Sequence, residues 1–421
     1  MTMLNGYACV RCGCCYPSDI AIDSRGCPAC RDETPANLRV IEHNVADAAG
    51  CKSLPSLWRY SDCLPCPVEY AVSLGEGLTP LLEAPAIGAE LGLSRLWIKN
   101  ESHNPTWSHK DRFSSVAVSV ARMQGARIVA TASSGNAGAS LAAYAGRAGL
   151  TCIVATFAGA AGPMLAQIRK TGATVVPFAN KTDRWDFIAE GVELHGWFAT
   201  SPFRAPVVGS HPAGIEGYKT LAYEIVEQMG GNVPDWCVLP VCYGDALAGL
   251  WQGFKGLYEQ RAIARLPRLV AAEVHGSLTA ALAGTGDGIP DMKAEFASLA
   301  ISIGATRSTF QALNALRQSD GLAVPISNEG LIRLQERLAE REGIFAELAS
   351  VTPLAAVAML RRRNVIAAND RVVAIATASG LKDVDRSLSS HDPLPTYHSV
   401  PEAWEAIGRE KSITPRAFEP V

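Results

Sequence analysis

Two groups of side chains in this sequence have the types and spacing to do chemistry. The first is a set of thiols, Cys9-Val10-Arg11-Cys12 and Cys27-Pro28-Ala29-Cys30, two CxxC pairs separated by 14 residues. Each pair can place two thiolates on one tight turn, and two such turns make a tetrahedral Zn2+ site. A site closed by four thiolates is structural, because no position stays open for water. Cys14 and Cys15 could replace one of the four, and the plain alternative is a loop of free thiols. Cys63 and Cys66 read as apolar packing. The second group starts at Lys110, in Ser108-His109-Lys110-Asp111-Arg112. A lysine at a helix start is usually a solvated charge, but three turns alter that weight. They are 131–138, 241–247 and 377–383, each following an apolar run. A helix opening at such a turn leaves backbone N–H groups free for a carboxylate or a phosphate.

Those residues need elements to position them. Strands are predicted at 96–100, 127–132, 151–157, 173–178, 236–241, 269–274 and 372–377. Helical patterns fill 108–123, 137–148, 163–170, 183–194, 215–229, 246–263, 330–342 and 353–363. Strand and helix in alternation give an α/β fold with mostly parallel sheets. Ligands in such folds gather at the carboxyl ends of the strands, where the three turns fall. The tail beyond Leu388 is proline-rich with little periodicity, and is expected to wrap over the surface or a partner subunit.

With 421 residues, 48% of them hydrophobic, the chain has room for two or three globular domains. A net charge of −3 excludes a polybasic coat for nucleic acid or membrane surfaces. The uncharged stretches 128–146 and 148–168 are broken by Ser133, Ser134 and Asn136 and by Pro163, so neither reads as a membrane span. No apolar segment precedes the cysteines, and a cytoplasmic protein is expected. There, twelve cysteines mean metal or thiol chemistry before disulfides.

Lys110 and the three turns keep their order with four further segments. These are Leu74-Gly-Glu-Gly-Leu-Thr-Pro80, Lys99-Asn-Glu-Ser102, Ile215-Glu-Gly-Tyr-Lys-Thr220 and Glu342-Gly-Ile-Phe-Ala-Glu347. Together they resemble the fold type II pyridoxal-phosphate enzymes, most closely the threonine synthases, over about 50–385. The Cys-rich start is similar to the zinc-ribbon-like leader of some of them. The resemblance implies two open, mostly parallel sheets flanked by helices, plus a small Cys-rich N-terminal module. The expected division is a module at 1–45, a large cofactor domain from 46–114 and 206–400, a small domain at 115–205 and a tail at 401–421. The resemblance also implies roles. Lys110 carries pyridoxal 5'-phosphate covalently and takes the substrate α-proton. Asn136 sits beside the cofactor's phenolic oxygen, and Thr377 meets the pyridine nitrogen. Cys242, Tyr243, Gly244, Asp245, Ala246 and Leu247 cradle the phosphate. Ser133, Ser134 and Gly135 grip the substrate carboxylate. A neutral hydroxyl at the pyridine nitrogen weakens the ring as an electron sink and favours quick loss of a leaving group.

Four positions leave the family pattern. The phosphate turn keeps one glycine, Gly244, and sets Asp245 beside a dianion. An exposed Asp245 turned away to cap the next helix would reconcile the two. Phe113 stands where glycine commonly follows Lys-Asp-Arg, and Thr377-Ala378-Ser379-Gly380 stands for Thr-Gly-His-Gly. Ser210-His211-Pro212-Ala213-Gly214 replaces an Asn-Pro-Tyr-Arg segment whose polar residues help hold a substrate phosphate, with Gly214 at the arginine position. His211 reads as a turn residue. Without a bidentate guanidinium, O-phosphohomoserine is expected to be a poor substrate unless a cation such as Arg112 compensates.

The expected function is a pyridoxal-phosphate-dependent carbon–oxygen lyase or synthase of a small amino acid. Conversion of O-phosphohomoserine to threonine is the best single substrate assignment. The alternatives are β-replacement similar to cysteate synthase and β-elimination similar to the serine/threonine ammonia-lyases. In another class stands a non-catalytic scaffold bearing a zinc interaction module. A homodimer with no nucleic-acid or membrane partner is expected. Loss of metal is expected to leave the cofactor in place, since the cysteines are remote in sequence from every cofactor motif.

Overall fold

Apolar runs bounded by glycine turns pair into three sheets in the computed structural model, which describes residues 4–41, 54–388 and 394–411. The expected module boundary at 45/46 and residues 412–421 of the tail lie outside the described residues. Met1–Ser387 packs as one compact unit and Leu388–Val421 as a second.

In the first unit β1 (Tyr7–Cys9), β2 (Cys15–Tyr16) and β3 (Leu38–Val40) form an antiparallel sheet ordered β2-β1-β3. β4 (Leu81–Glu83) and β5 (Leu96–Asn100) follow. β6 (Ile128–Thr131), β7 (Thr151–Phe157), β8 (Thr174–Phe178) and β9 (Phe198–Ala199) make a parallel sheet ordered β8-β7-β6-β9. β10 (Trp236–Pro240), β11 (Arg268–Glu273), β12 (Leu322–Pro325) and β13 (Val372–Ala376) join β4 and β5 in a third sheet. Its order is β12-β11-β10-β13-β5-β4, parallel except where β4 meets β5. All seven predicted strands are present. Of the six strands without a predicted counterpart, five are two or three residues long, too short to show alternation, and the sixth, β12, has four.

β10 and β13 are buried along their whole length, as strands covered on both faces must be. The register pairs Trp236 with Val372 and Val372 with Leu96. The segments that leave β10, β13 and β5 therefore emerge side by side, and they carry Gly244, Thr377 and Lys110. Below them lies a buried ion cluster. Arg112 Nε donates to Glu101 at 2.7 Å and Arg112 Nη1 to Glu224 at 2.6 Å, while Lys99 Nζ donates to Glu224 at 2.7 Å. Burial raises the Glu224 carboxyl pKa, but Arg112 and Lys99 bring it below the usual range. Arg112 is thus spent on the scaffold and is no free cation for a substrate.

Helices Pro85–Leu91, Ser277–Ala283, Phe310–Gln318 and Val384–Ser387 are additions to the predicted set, and two further helices differ from expectation. Helix Leu348–Arg362 runs through Pro353, which sequence reading took as a start; Thr352 Oγ1 donates to Ala349 O at 2.7 Å, meeting the carbonyl whose usual donor the proline lacks. The second unit contains helix Val400–Lys411, where little periodicity was expected. Its signal was Ser399-Val-Pro-Glu402: Ser399 Oγ accepts from Glu402 N at 3.3 Å, and Glu402 accepts from His398 N at 2.8 Å. Among the described residues no helix is long and apolar enough to cross a membrane.

Candidate active site and thiol centre

Lys110 opens the helix Lys110–Met123 on a rim built by backbone pairing. His109 N donates to Thr377 O at 2.8 Å and Ser379 N to Trp107 O at 3.0 Å. Glu347 N donates to Ala378 O at 2.9 Å. Lys110 Nζ lies 5.8 Å from the Tyr218 ring centroid and has no ion-pair partner among the described residues. His109 stacks on the same ring at 5.4 Å. Burial holds His109 well below its ordinary pKa, and Lys110 adds to the effect, so the imidazole is neutral.

Opposite, Asn136 begins the helix Asn136–Ala148. Its Nδ2 donates to Glu347 Oε2 at 2.8 Å, and its Oδ1 is buried without a partner. Ser133, Ser134 and Gly135 form the half-buried loop before it. Gly138 fixes that loop: a Cβ there would lie 1.9 Å from Ser133 O. Thr377 is buried with Oγ1 2.9 Å from Ser350 Oγ. Ser350 Oγ also accepts from Ala378 N at 2.9 Å, and with the Ser350 proton turned to Thr377 the Thr377 hydroxyl can donate to an outside acceptor.

The third wall is the turn 242–247. Gly244, at φ 80°, precedes helix Asp245–Glu259, and a Cβ there would lie 2.3 Å from Ala312 Cβ. Ser308 Oγ donates to Cys242 O at 2.8 Å and Thr309 Oγ1 to Tyr243 O at 2.6 Å. These bonds occupy both carbonyls, and at the helix start that follows the amides of Asp245, Ala246 and Leu247 have no intrahelical acceptor. One glycine is enough for this geometry. Burial pushes the Cys242 thiol up to about 11, against the pull of Lys110, and keeps it uncharged. Asp245 corrects the expectation of an exposed cap. It is buried, it is the first helical residue, and its carboxylate accepts from Ser210 N (3.1 Å), Ser210 Oγ (2.7 Å) and Gln311 Nε2 (2.6 Å).

The structure therefore gathers Lys110, Asn136, Thr377 and the 242–247 turn around one space, with Ser133–Gly135 at its edge. An unpaired amine, a free hydroxyl proton, an anion-ready helix start and the unpartnered buried atoms Ser108 Oγ, Asn136 Oδ1 and Tyr218 OH fit pyridoxal 5'-phosphate. Sequence reasoning assigned no role to Tyr218, Glu347 or Ser350, although the first two sit in the segments it singled out. It also missed Lys382. This lysine is buried, donates to Gln167 Oε1 at 2.6 Å, and is lowered to about 8 by burial, which outweighs the upward pull of Asp111 and Glu347.

Two of the departures prove to be one feature. A Cβ on Gly214 would lie 2.5, 2.6 and 2.7 Å from three carbons of the Phe113 ring. The aromatic ring fills the space at the residue where an arginine was expected. His211 caps the short helix Pro212–Ile215, its Nδ1 accepting from Ala213 N at 3.2 Å, and burial lowers it to about 3.

The four sulfurs of Cys9, Cys12, Cys27 and Cys30 lie within 4.8 Å of one another. Cys9 to Cys30 and Cys12 to Cys27 are both 3.8 Å. A tetrahedron with arms of ~2.3 Å has edges of about 3.8 Å, so the set fits Zn2+. Cys14 and Cys15 are exposed and outside the group. Cys66 is in the apolar core, where burial pushes its thiol up to about 12.

Residues 72–378 match the family model described as "Pyridoxal-phosphate dependent enzyme". The chain is 34% identical over 396 residues to a threonine synthase of Methanocaldococcus jannaschii, covering 92% of this chain and 95% of that one. It is 34% identical over 345 residues to a threonine synthase of Mycobacterium leprae, covering 81% and 91%. Among solved structures, the processed form of threonine deaminase isoform 2 from Solanum lycopersicum superposes with a TM-score of 0.63 at 22% identity, covering 78% of this chain and 91% of that one. A fungal L-serine ammonia-lyase from Rhizomucor miehei gives a TM-score of 0.63 at 19% identity, covering 75% and 99%. These two carry the fold alone, which is fold type II.

Proposed function

Because the chain belongs to the pyridoxal-phosphate dependent enzyme family, it is a pyridoxal-phosphate-dependent lyase, and we propose that its substrate is a small amino acid whose leaving group carries no phosphate. The observation that carries this reading is the Phe113 ring packed over Gly214. A phosphate there, with about −1.5 to −2 charge, would meet an apolar ring. Uncompensated burial of such a charge costs several kcal/mol. Two of the nearby cations are already committed: Arg112 to Glu101 and Glu224, and Lys219 to Glu216 at 2.5 Å. His211 is neutral.

The bound cofactor supplies a sink for the electron pair released at the substrate α-carbon. Lys110 would hold it covalently, and the Lys110 amine, once displaced by the substrate amine and with no carboxylate partner among the described residues, would take the α-proton. Asn136 would hold the phenolic oxygen with the N–H that Glu347 leaves free. The Thr377 hydroxyl would donate to the pyridine nitrogen. The amides of 243–247 would hold the phosphate, and Ser133, Ser134 and Gly135 the substrate carboxylate. Elimination or replacement at the β-carbon of a hydroxy or acyloxy amino acid follows. The same reading places one Zn2+ on the four cysteines. It keeps the division into a large domain (46–114 with 206–400) and a small one (115–205), and a cytoplasmic homodimer.

A second reading, O-phosphohomoserine to threonine, is favoured by the names of the relatives and by Lys382, a buried cation whose hydrogen-bond partner is a neutral amide. Steady-state assays with serine, threonine, O-acetylserine and O-phosphohomoserine separate the two. Turnover confined to the unphosphorylated substrates supports the first reading, and efficient use of O-phosphohomoserine overturns it. The Phe113→Gly/Gly214→Arg double variant should shift preference toward the phosphorylated substrate.

A further inference from the structure

The thiol module is remote from the cofactor motifs in sequence but not in space. Val10 N, inside the first CxxC turn, donates to Asn37 O at 3.1 Å, and Cys27 N, at the start of the second, donates to Ala36 O at 2.9 Å. Both turns thus grip the chain at 36–37. The buried Asn37 side chain reaches out of the module. Its Oδ1 accepts from Leu38 N at 2.9 Å, which fixes the way the amide faces. Its Nδ2 donates to Ser210 O at 3.0 Å and to Gln311 Oε1 at 3.2 Å. That contact fixes Gln311 in turn, whose Nε2 donates to Asp245 Oδ1 at 2.6 Å. Ser210, held by its carbonyl, gives Asp245 its other two hydrogen bonds. Every donor in this relay runs from the module toward the carboxylate. Space around it is tight: a Cβ on Gly209, at φ 127°, would lie 2.2 Å from Gln311 Nε2, 2.7 Å from Asn37 Nδ2 and 2.8 Å from Asp245 Oδ1. A second line runs parallel. The Arg11 guanidinium lies 3.6 Å above the Phe310 ring, and the two residues before Phe310 hold the carbonyls of Cys242 and Tyr243.

We propose that Asn37 is a positioning residue for the cofactor: the thiolate module keeps the phosphate turn in its binding shape by holding the Asp245 carboxylate away from the helix amides. A carboxylate released at that helix start would compete for the same N–H groups and repel a bound phosphate. With Asn37 in place, a flipped Gln311 amide would set its NH2 against an NH2 and its oxygen against a carboxylate. Without Asn37, the donor-forward orientation keeps only the pull of the Asp245 carboxylate and loses its hold from the module.

The proposal rests on cofactor binding, not on the identity of the substrate, so its test reads cofactor affinity. Full-length protein is stripped of pyridoxal 5'-phosphate and titrated with it, following absorbance. Metal content is measured on the same samples. Asn37→Ala should weaken cofactor binding about tenfold with metal content unchanged. Gln311→Ala, outside the module, should do the same. The double variant should be no weaker than the poorer single one, because both break one relay. Arg39→Ala, exposed on β3, should bind as the parent does. Chelation of the metal should weaken the cofactor as well. Parent-like affinity in Asn37→Ala and Gln311→Ala, or effects that multiply in the double variant, overturn the proposal. If Asn37→Ala loses its metal, Gln311→Ala decides alone. Affinity indifferent to chelation removes the metal from the argument and overturns the module's part in it.

Discussion

Gly214→Ala adds one methyl group, and the geometry says where it goes: 2.5–2.7 Å from Phe113 ring carbons that are themselves buried. Such contacts force a shift, and overpacking of this kind costs about 1–3 kcal/mol. Phe113→Ala empties the same space from the other side and costs about 3–5 kcal/mol through the cavity it leaves. In that emptied background the new methyl meets no ring, so Gly214→Ala should then cost less than about 0.5 kcal/mol. The difference is a coupling energy of about 1–3 kcal/mol between two residues far apart in sequence. Urea unfolding of the holoprotein and the three variants, followed by tryptophan fluorescence, measures it. Equal cost of Gly214→Ala in both backgrounds would refute the claim that the two departures are one packing unit. The carrying observation for the proposed substrate would then be gone.

Borohydride reduction and peptide mapping should find the pyridoxyl group on Lys110; a label on another lysine removes the assignment. Burial brings the Lys382 ammonium down to about 8 from the ordinary lysine value of 10.5, so the unfolded state binds more protons between those values. Stability from this group therefore rises as pH climbs from about 8 to 10.5, by up to roughly 3 kcal/mol. A Lys382→Met variant that keeps the same rise argues against it. Elemental analysis should give one zinc per chain, and Cys27→Ser should lose it; zinc retained at full stoichiometry in that variant excludes the four-thiolate set.

The strands were readable because each is an apolar run closed by a turn, four to seven residues long in the structure. The cofactor residues were readable because resemblance preserves their order. What could not be read was pairing across distance. Phe113 and Gly214 each stood out as a departure, but nothing along the chain says that the ring of one fills the space beside the other. Asp245 was misjudged for the same reason. A first-turn acid usually faces water, and its partners Ser210 and Gln311 lie in other segments. Arg112 looked available because Glu101 and Glu224 announce nothing about where they fold. The helix at 400–411 is a different case: Ser399 and Glu402 gave a usable signal, masked by the prolines around them.

The place of β13 in its sheet sets a timetable for synthesis. β13 is the last strand made, yet it lies between β10 and β5, so the sheet that carries Lys110 cannot close until residue 376 has left the ribosome. At ~5–20 residues per second, β5 waits on the order of tens of seconds for its partner, with one strand edge unpaired. The sheet of β6 to β9 is drawn from one continuous stretch and is under no such delay. A nascent chain thus carries a finished small sheet beside an unfinished large one, and a truncation between β12 and Val372 leaves the facing edges of β10 and β5 open in place of a binding site.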